Sequence, residues 1–330
     1  RFTKPGDLHV GWRGAKGDCT NAGVGTDDYS AIDATFDTSR ATWDATLNTG
    51  STVHFLAGRT YLSETSLFAG KNASHTNHVY AIDGHGATIY GKHTGNVLDY
   101  TGAHNKRIEN ITLYGDSVTT PYSLLLLARK DNNSAGLTYM RHVYGRGYVT
   151  VAAFISYLSE ELDAYDCDWM IESGELTELY TDTGYYLDSA NVWQQLTVPN
   201  QDSTPTVTSF TNHRLNKVRA SNRHAAASGA AAVVQVIGAD NWNRHGGQLH
   251  DEADDMPLIE FLKDPAHSGT NLTDISVKEV LFHADYTKGI SIGRGAANPA
   301  TIVGLTVRDN NWGTASVADI VAGQDSIIYN

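Results

Sequence analysis

Two aspartates and a glutamate near the middle of the chain, Asp166, Asp168 and Glu172, have the types and spacing needed for acid–base chemistry. In a β-strand, residues i and i+2 point to the same side, about 6.5–7 Å apart at Cα. Paired carboxylates suit glycoside cleavage, in which one protonates the leaving oxygen and the other activates water or attacks the sugar. That separation lies between the retaining and inverting ranges, so the pair predicts a glycosidase site of open stereochemistry.

Groups able to hold a sugar polymer occur in the repeats before and after this pair. If neighbouring repeats stack, Arg141, Arg219, Tyr114 and Trp193 join the carboxylates in one outward-facing stripe. Trp193 can stack on a sugar ring, and the arginines can hold uronate groups bidentately. We therefore assign these four as substrate-binding residues. The alternative is a solvated acidic strand that the arginines neutralise.

A second polar cluster, His250, Asp251, Glu252 and Asp254, is the second-choice site. It falls in an irregular part of the repeat, which indicates a loop, and loops often carry function. Its oxygens do not have a recognised calcium-ligand spacing, so a solvated acidic loop is favoured and we assign no metal ligands. No phosphate-binding glycine loop is present, and no nucleotide cofactor is expected.

Composition excludes several classes of protein. The 330 residues carry a formal net charge of −13 and no run of lysine and arginine, which argues against a nucleic-acid partner. The longest apolar stretches are too short to cross a bilayer, so no membrane insertion is expected. The two cysteines, Cys19 and Cys167, are too few for a disulfide framework or a four-cysteine zinc site, and we expect free thiols.

The predicted architecture follows from a repeated pattern of three apolar residues, of which the first two are separated by two residues and the last two by one. Its first residues recur at intervals of 25–30 residues with one interval of 57, at Ile108, Leu137, Leu162, Leu187, Leu215, Leu272 and Ile302. Such a period with Gly- and Asn-rich turns predicts a parallel β-solenoid, whose coils stack and share one core. A β-sandwich with accidental spacing is the alternative. The doubled interval predicts an irregular coil or loop near 238–271.

The repeat also predicts which side chains face the core. We expect Ile111, Tyr165, Val218, Ile275 and Leu305 to form one inward-facing stack.

The start of the chain predicts a helical cap. Ile32, Phe36, Trp43 and Leu47 are spaced to lie on one face of a helix. We therefore divide the chain into an N-terminal cap, 1–62, and a solenoid body, 63–330, whose open end the helix covers.

Three ordered segments carry a family resemblance: 14–18 (GAKGD), 25–32 (GTDDYSAI) and 53–61 (VHFLAGRTY). They resemble the N-terminal signature of the pectate-lyase-like superfamily, and 82–89 (IDGHGATI) matches the strand that often follows it. The members it resembles most are bacteriophage tailspikes and polysaccharide depolymerases. The resemblance implies an all-β, right-handed parallel β-helix capped by an N-terminal α-helix. It also implies an extracellular homotrimer on a virion tail, with a virion-attachment domain before residue 1, acting on bacterial capsular or O-antigen polysaccharide.

Three functions remain open on this fold. Endo-glycoside hydrolysis at Asp166 and Asp168 is favoured. A polysaccharide lyase acting by β-elimination is the runner-up, with Arg141 and Arg219 neutralising the uronate and Ca²⁺ as a possible cofactor; otherwise no cofactor is expected. A non-catalytic receptor-binding adhesin would need the aromatic groups without the acids.

Overall fold

The computed structural model describes residues 6–44, 49–130, 136–201, 211–223, 230–252, 256–263, 266, 272–294, 297–323 and 326–329. Within them the chain is built almost entirely of short strands, preceded by a 3₁₀ turn at Val10–Arg13 and the helix α1 at Tyr29–Ala41. The strands are β1 (Asp7–His9), β2 (Thr52–His54), β3 (Thr60–Ser63), β4 (Leu67–Phe68), β5 (Ala81–Gly91), β6 (Asn96–Asp99), β7 (Lys106–Gly115), β8 (Ser123–Ala128), β9 (Thr138–Tyr148), β10 (Ala152–Tyr157), β11 (Leu162–Tyr165), β12 (Asp168–Ser173), β13 (Leu176–Thr181), β14 (Tyr185–Leu187), β15 (Trp193–Gln195), β16 (Thr211–Asn216), β17 (Arg219–Asn222), β18 (Ala232–Ile237), β19 (Ala239–His245), β20 (Gln248–Asp251), β21 (Pro257–Leu262), β22 (Leu272–Thr273), β23 (Ser276–Lys278), β24 (Leu281–Ile292), β25 (Thr301–Val303), β26 (Thr306–Arg308), β27 (Asn311–Ala322) and β28 (Ile327–Tyr329).

Each coil of the molecule presents three strand faces, and successive coils pair in parallel. Face 1 contains β1, β2, the first parts of β5, β7 and β9, then β11, β16, β19, β22, β23, β25, β26 and β28. Face 2 contains β3, the later parts of β5, β7 and β9, then β12, β17, β20 and the first parts of β24 and β27. Face 3 contains β4, β6, β8, β10, β13, β18, β21 and the last parts of β24 and β27. This arrangement confirms the predicted parallel β-helix.

Face 1 meets face 2 at a recurring bend that we call the turn ladder. At this bend a residue of each of seven coils adopts a positive φ, and register places these residues above one another: Asn110, His142, Asp166, Lys217, Gly246, Glu279 and Asp309. A residue with left-handed backbone interrupts the alternation of side chains between the inside and the outside of the solenoid. The alternation therefore starts again after each of these residues.

The predicted core stack is correct in part. Ile111, Val218 and Ile275 are buried, and Leu305 is partly buried against the core. Tyr165 instead lies on the outside of face 1, because the turn-ladder residue that follows it shifts the phase of the alternation. The inward positions of its coil are Ala164 and Cys167.

A long irregular segment lies at 182–201, and in the described part of the predicted 238–271 region β19, β20 and β21 form a regular coil. It includes the antiparallel hairpin β14–β15. Its apolar side chains cover the outer side of face 3 and create a second core, whose buried members include Ile155, Leu179, Leu187, Leu196 and Ile237.

The N-terminal cap is confirmed as a helix that closes the first coils. Ile32 and Phe36 are buried, while α1 ends at Ala41, earlier than the apolar spacing predicts; Leu47 lies outside the described residues. The side chain of Asp28 accepts hydrogen bonds from the backbone N–H groups of Lys16 (2.7 Å) and Gly17 (3.0 Å), which joins two of the signature segments. Among the described residues, no helix is long and apolar enough to cross a membrane.

A buried histidine on face 1 makes stability depend on pH. His213 lies between Leu162 and Trp242 in the core, and burial lowers its pKa from 6.5 to about 3. Between those two pH values the unfolded chain binds a proton that the folded chain does not, so stability falls as pH falls, at about 1.4 kcal/mol per unit. We expect His213→Leu to remove this part of the acid sensitivity in urea unfolding measured from pH 7 to pH 4.

The exposed His283 offers a matched control, since His283→Leu should keep the slope of the parent. Equal slopes for His213→Leu and the parent would contradict the assignment.

Candidate functional site

Outward side chains of face 1 form two parallel columns, which we call the face 1 ladder. The first column contains Arg107, Tyr139, Asp163, Arg214, Asn243, Ser276 and Thr306. The second contains His9, His54, Asp83, Glu109, Arg141, Tyr165, Asn216, His245, Lys278 and Arg308. Because parallel strands repeat about every 4.8 Å, the ladder presents a polar group at that spacing along the helix axis.

An open groove runs along this ladder. Its larger part, about 710 Å³, is lined by Glu161, Asn212, Arg214, Leu215, Asn216, Asn241, Asn243, Arg244, His245, Ser276, Lys278, Glu279 and Arg308. A smaller part of about 300 Å³ continues toward the N-terminus past Tyr139 and Arg107, and the two parts share Glu161 and Arg214. The groove is therefore elongated and shallow, a shape that fits a linear polymer.

Positively charged side chains lie beside two tyrosine rings of the face 1 ladder, Tyr139 and Tyr165. The Arg107 guanidinium lies 5.9 Å from the ring centre of Tyr139, and that of Arg141 lies 5.6 Å from Tyr165. The Lys217 ammonium is 5.5 Å from the same Tyr165 ring. These contacts hold the rings beside fixed positive charges, an arrangement that can recognise acidic sugars.

The turn ladder borders the groove and carries a chain of hydrogen bonds. The Asn110 amide donates to the Asp83 carboxylate at 3.1 Å, and its oxygen lies 3.1 Å from Nδ1 of His142. His142 Nε2 faces the Asp166 carboxylate at 3.4 Å. Asp166 is partly exposed, at a backbone φ of 49°. The His142–Asp166 pair can therefore exchange a proton with a bound molecule.

Asp168 stands in a different environment, on face 2 just beyond the bend. Its side chain is only 14% exposed, accepts a hydrogen bond from Arg146 Nη2 at 2.8 Å and forms an ion pair with Arg219 Nη2 at 3.2 Å. Since Asp166 occupies the bend itself, the two aspartates are not alternate residues of one strand, and the distance predicted from that spacing does not apply. Two guanidinium partners make Asp168 a fixed anion that orients both arginines.

Tyr144 completes what we call the turn cluster, defined as His142, Tyr144, Asp166 and Arg219. Tyr144 pairs in register with Asp168, and the Arg146 guanidinium lies 5.7 Å from its ring. Burial, followed by the charge of Asp166, raises the pKa of Tyr144 while Arg219 opposes the shift. The phenol is therefore held protonated and able to donate.

The other predicted site residues are spread over the molecule. Arg141 faces outward on face 1, whereas Tyr114 lies on face 2 with its ring stacked on Tyr90 at 5.0 Å. Glu172 also lies on face 2, where its charge contributes, after burial and Tyr148, to raising the pKa of Tyr114.

Trp193 does not belong to the predicted stripe. It lies on the hairpin strand β15, packs against the second core and donates from Nε1 to the Asn298 side chain at 3.0 Å. Because Leu187 of this hairpin fits the apolar repeat, the sequence pattern counts the hairpin as a coil of the solenoid and so predicts Trp193 beside the aspartates. Its indole stabilises the covering of face 3.

The described members of the second-choice cluster do not point to a common site. His250 faces outward on face 2 with its ring 4.9 Å from His283, whereas Asp251 is buried and accepts from the Met256 N–H at 3.2 Å. Glu252 is exposed, and Asp254 lies outside the described residues.

Sequence reasoning missed a cluster at the N-terminal end of the ladder. His54, Asp83 and His85 place one ligand atom each within 4.8 Å of the others. The register of His54 opposite Asp83 was the available signal, but it depends on pairing two strands 29 residues apart.

Comparisons with known proteins give only distant likenesses. No protein-family model matches the chain, and no curated protein matches it. Among solved structures, PfbA, a surface adhesin of Streptococcus pneumoniae, aligns with a TM-score of 0.42 at 11% identity, over 95% of this chain and 93% of that one. The Azotobacter vinelandii mannuronan C-5 epimerase AlgE6 A-module aligns with a TM-score of 0.33 at 15% identity, over 98% of both chains. These values are too low to carry an argument about activity, and the fold rests on the strand pairing above.

Proposed function

We propose that this protein binds an anionic extracellular polysaccharide along the groove of face 1. The observation that carries the proposal is the face 1 ladder, whose cations and tyrosines repeat over successive coils; of these, Arg107, Tyr139, Arg214, Lys278 and Arg308 line the open groove. Guanidinium groups bind carboxylates bidentately, and tyrosine rings stack on sugars. The open shape favours a polymer, because a small molecule would leave most of this surface unfilled.

The charge distribution supports an acidic ligand. The chain as a whole carries a formal net charge of −13. The larger part of the groove, in contrast, has more cations than carboxylates: Arg214, Lys278 and Arg308 against Glu161 and Glu279. An anionic polymer is repelled by most of the surface and attracted here, which confines it to the groove.

Replacing Arg214 and Arg308 with alanine tests the binding proposal. Hydrogen bonds to charged groups contribute about 1.5–3 kcal/mol, and at these exposed positions we expect the lower end, about tenfold in Kd for each arginine. The measurement is calorimetric titration with uronate-containing and neutral polysaccharides of matched length.

Arg59→Ala, an exposed arginine on a turn away from the groove, should bind as the parent does. Equal affinity of the parent for neutral and uronate polymers, or unchanged affinity of the double variant, would reject the groove as the binding surface.

A second candidate function, cleavage of the same polymer, is favoured by the turn cluster. In β-elimination the His142–Asp166 pair removes the proton next to the uronate carboxyl, and Arg219 neutralises the charge that develops. The C–O bond at the β-position then breaks, and the leaving oxygen takes a proton from Tyr144. Hydrolysis is less well supported, because Asp168, one member of its carboxylate pair, is held by two arginines.

The sequence resemblance supplies a biological setting for either activity. It supports a tailspike-like protein of a virion tail, with bacterial capsular or O-antigen polysaccharide as the ligand. A homotrimer of the kind this setting implies would assemble through surfaces other than the middle coils of face 3, because the chain's own 182–201 segment covers those coils. A receptor-binding adhesin would use the groove without the turn cluster.

A further inference from the structure

We propose that His54, Asp83 and His85 bind a divalent transition-metal ion, for which Zn²⁺ is the probe. The three ligand atoms lie within 4.8 Å of one another on adjacent coils at the N-terminal end of face 1. The proposal does not depend on polysaccharide binding or cleavage.

The facing nitrogens of the two histidines are the main observation. Nδ1 of His54 lies 2.8 Å from Nε2 of His85, with the rings stacked at 5.0 Å between centroids. At this distance one nitrogen donates its hydrogen to the other, and a small separation of the rings would let both nitrogens bind one metal ion in place of that hydrogen.

The Asp7 carboxylate favours the metal-binding tautomer of His54. Nε2 of His54 lies 3.1 Å from the Asp7 carboxylate, which attracts the ring hydrogen to that side. His54 Nδ1 then directs its lone pair toward His85 Nε2, whose hydrogen would leave when a metal ion binds between the two rings. Metal-binding histidines typically have such an outer carboxylate, which fixes the tautomer and strengthens the ligand.

The third group, Asp83, is held in place from two sides. Its Oδ1 accepts from the Asn110 side chain and from the His85 backbone N–H, both at 3.1 Å. The side chains of His54 and Asp83 are 15% and 22% exposed, so both are largely fixed by their surroundings. His85 is 43% exposed and leaves the site open to solvent.

The donor set indicates the class of metal. Two imidazoles and one carboxylate suit Zn²⁺ and other borderline transition metals, whereas Ca²⁺ and Mg²⁺ prefer oxygen ligands throughout. Three protein ligands leave a coordination position for water. Because the ligands come from two coils, the ion also joins the first coils next to the helical cap.

Titration of the full chain with Zn²⁺, after treatment with a chelator, tests the site. We expect one saturable equivalent by calorimetry, a higher Tm with Zn²⁺, and a visible absorption band when Co²⁺ replaces it. His85→Gln should abolish all three responses while leaving the metal-free Tm and circular dichroism near those of the parent. Asp7→Asn, which alters only the outer carboxylate, should weaken binding about 10–100-fold.

His245→Gln is the matched control, because His245 belongs to the same ladder and faces a single carboxylate, Glu279, at 3.1 Å. It should bind Zn²⁺ as the parent does. Retention of the tight equivalent by His85→Gln, its loss in His245→Gln, or the absence of saturable binding by the parent would each overturn the assignment.

Discussion

Replacing Arg244 with methionine is expected to lower the free energy of unfolding by about 3–5 kcal/mol, the usual cost of leaving a buried charge without its partner. Arg244 and Glu178 are both fully buried inside the solenoid, with Nη1 at 2.7 Å from Oε2 and Nη2 at 3.4 Å from Oε1. Tyr180 donates to the same carboxylate at 3.0 Å, and Arg244 donates to the Val218 carbonyl at 2.9 Å. Urea unfolding at neutral pH measures the loss.

A double variant distinguishes the ion pair from simple packing. Arg244→Met combined with Glu178→Leu removes both charges, and apolar replacement of a buried pair is often neutral or stabilising, so most of the lost stability should return. The exposed Arg308→Met should change stability by less than about 0.5 kcal/mol. A double variant no more stable than Arg244→Met would show that the pair is not the source of the loss.

This ion pair also explains why one coil was missed in the sequence. The inward positions of that coil are Arg244, Gly247 and Leu249, in register with Leu215, Val218 and Ala220 of the preceding one. A search for apolar residues passes over a core position filled by arginine, because its burial depends on a carboxylate 66 residues earlier. The hairpin at 182–201, whose Leu187 fits the pattern by chance, was counted instead.

The fold was nevertheless predictable, because solenoid coils repeat and each must bury an apolar face against its neighbours. The candidate site was less predictable from the sequence. Asp166 and Asp168 stand two residues apart in the sequence, but the positive φ of Asp166 separates their environments, and alternation alone does not reveal such a bend. The contact between His142 and Asp166 joins different coils, so it appears only when the turn ladder is aligned.

The turn cluster predicts a catalytic pattern that separates elimination from hydrolysis. If the cluster cleaves a uronate polymer, His142→Gln and Tyr144→Phe should each lower the rate at saturating substrate by about 10²–10⁴-fold, as expected for the loss of a general base or acid. The product carries a new double bond conjugated to the carboxylate, so ultraviolet absorbance follows the reaction. Folding should be retained, since His142 and Tyr144 are both partly exposed.

Asp168→Asn is the informative comparison, because this carboxylate is the partner of Arg146 and Arg219 and not a member of the cluster. Its loss should lower Tm and loosen both arginines, while the rate measured well below Tm stays within about tenfold of the parent, since no proton transfer is assigned to it. Arg308→Ala, in the groove, should raise KM with little change in kcat.

A glycosidase that uses paired carboxylates predicts the opposite result. Asp168→Asn would be inactive, Tyr144→Phe would be active, and the products would carry new reducing ends without ultraviolet absorbance. A parent protein that binds uronate polymers but shortens none would reject cleavage by either route and leave binding as the function of the groove.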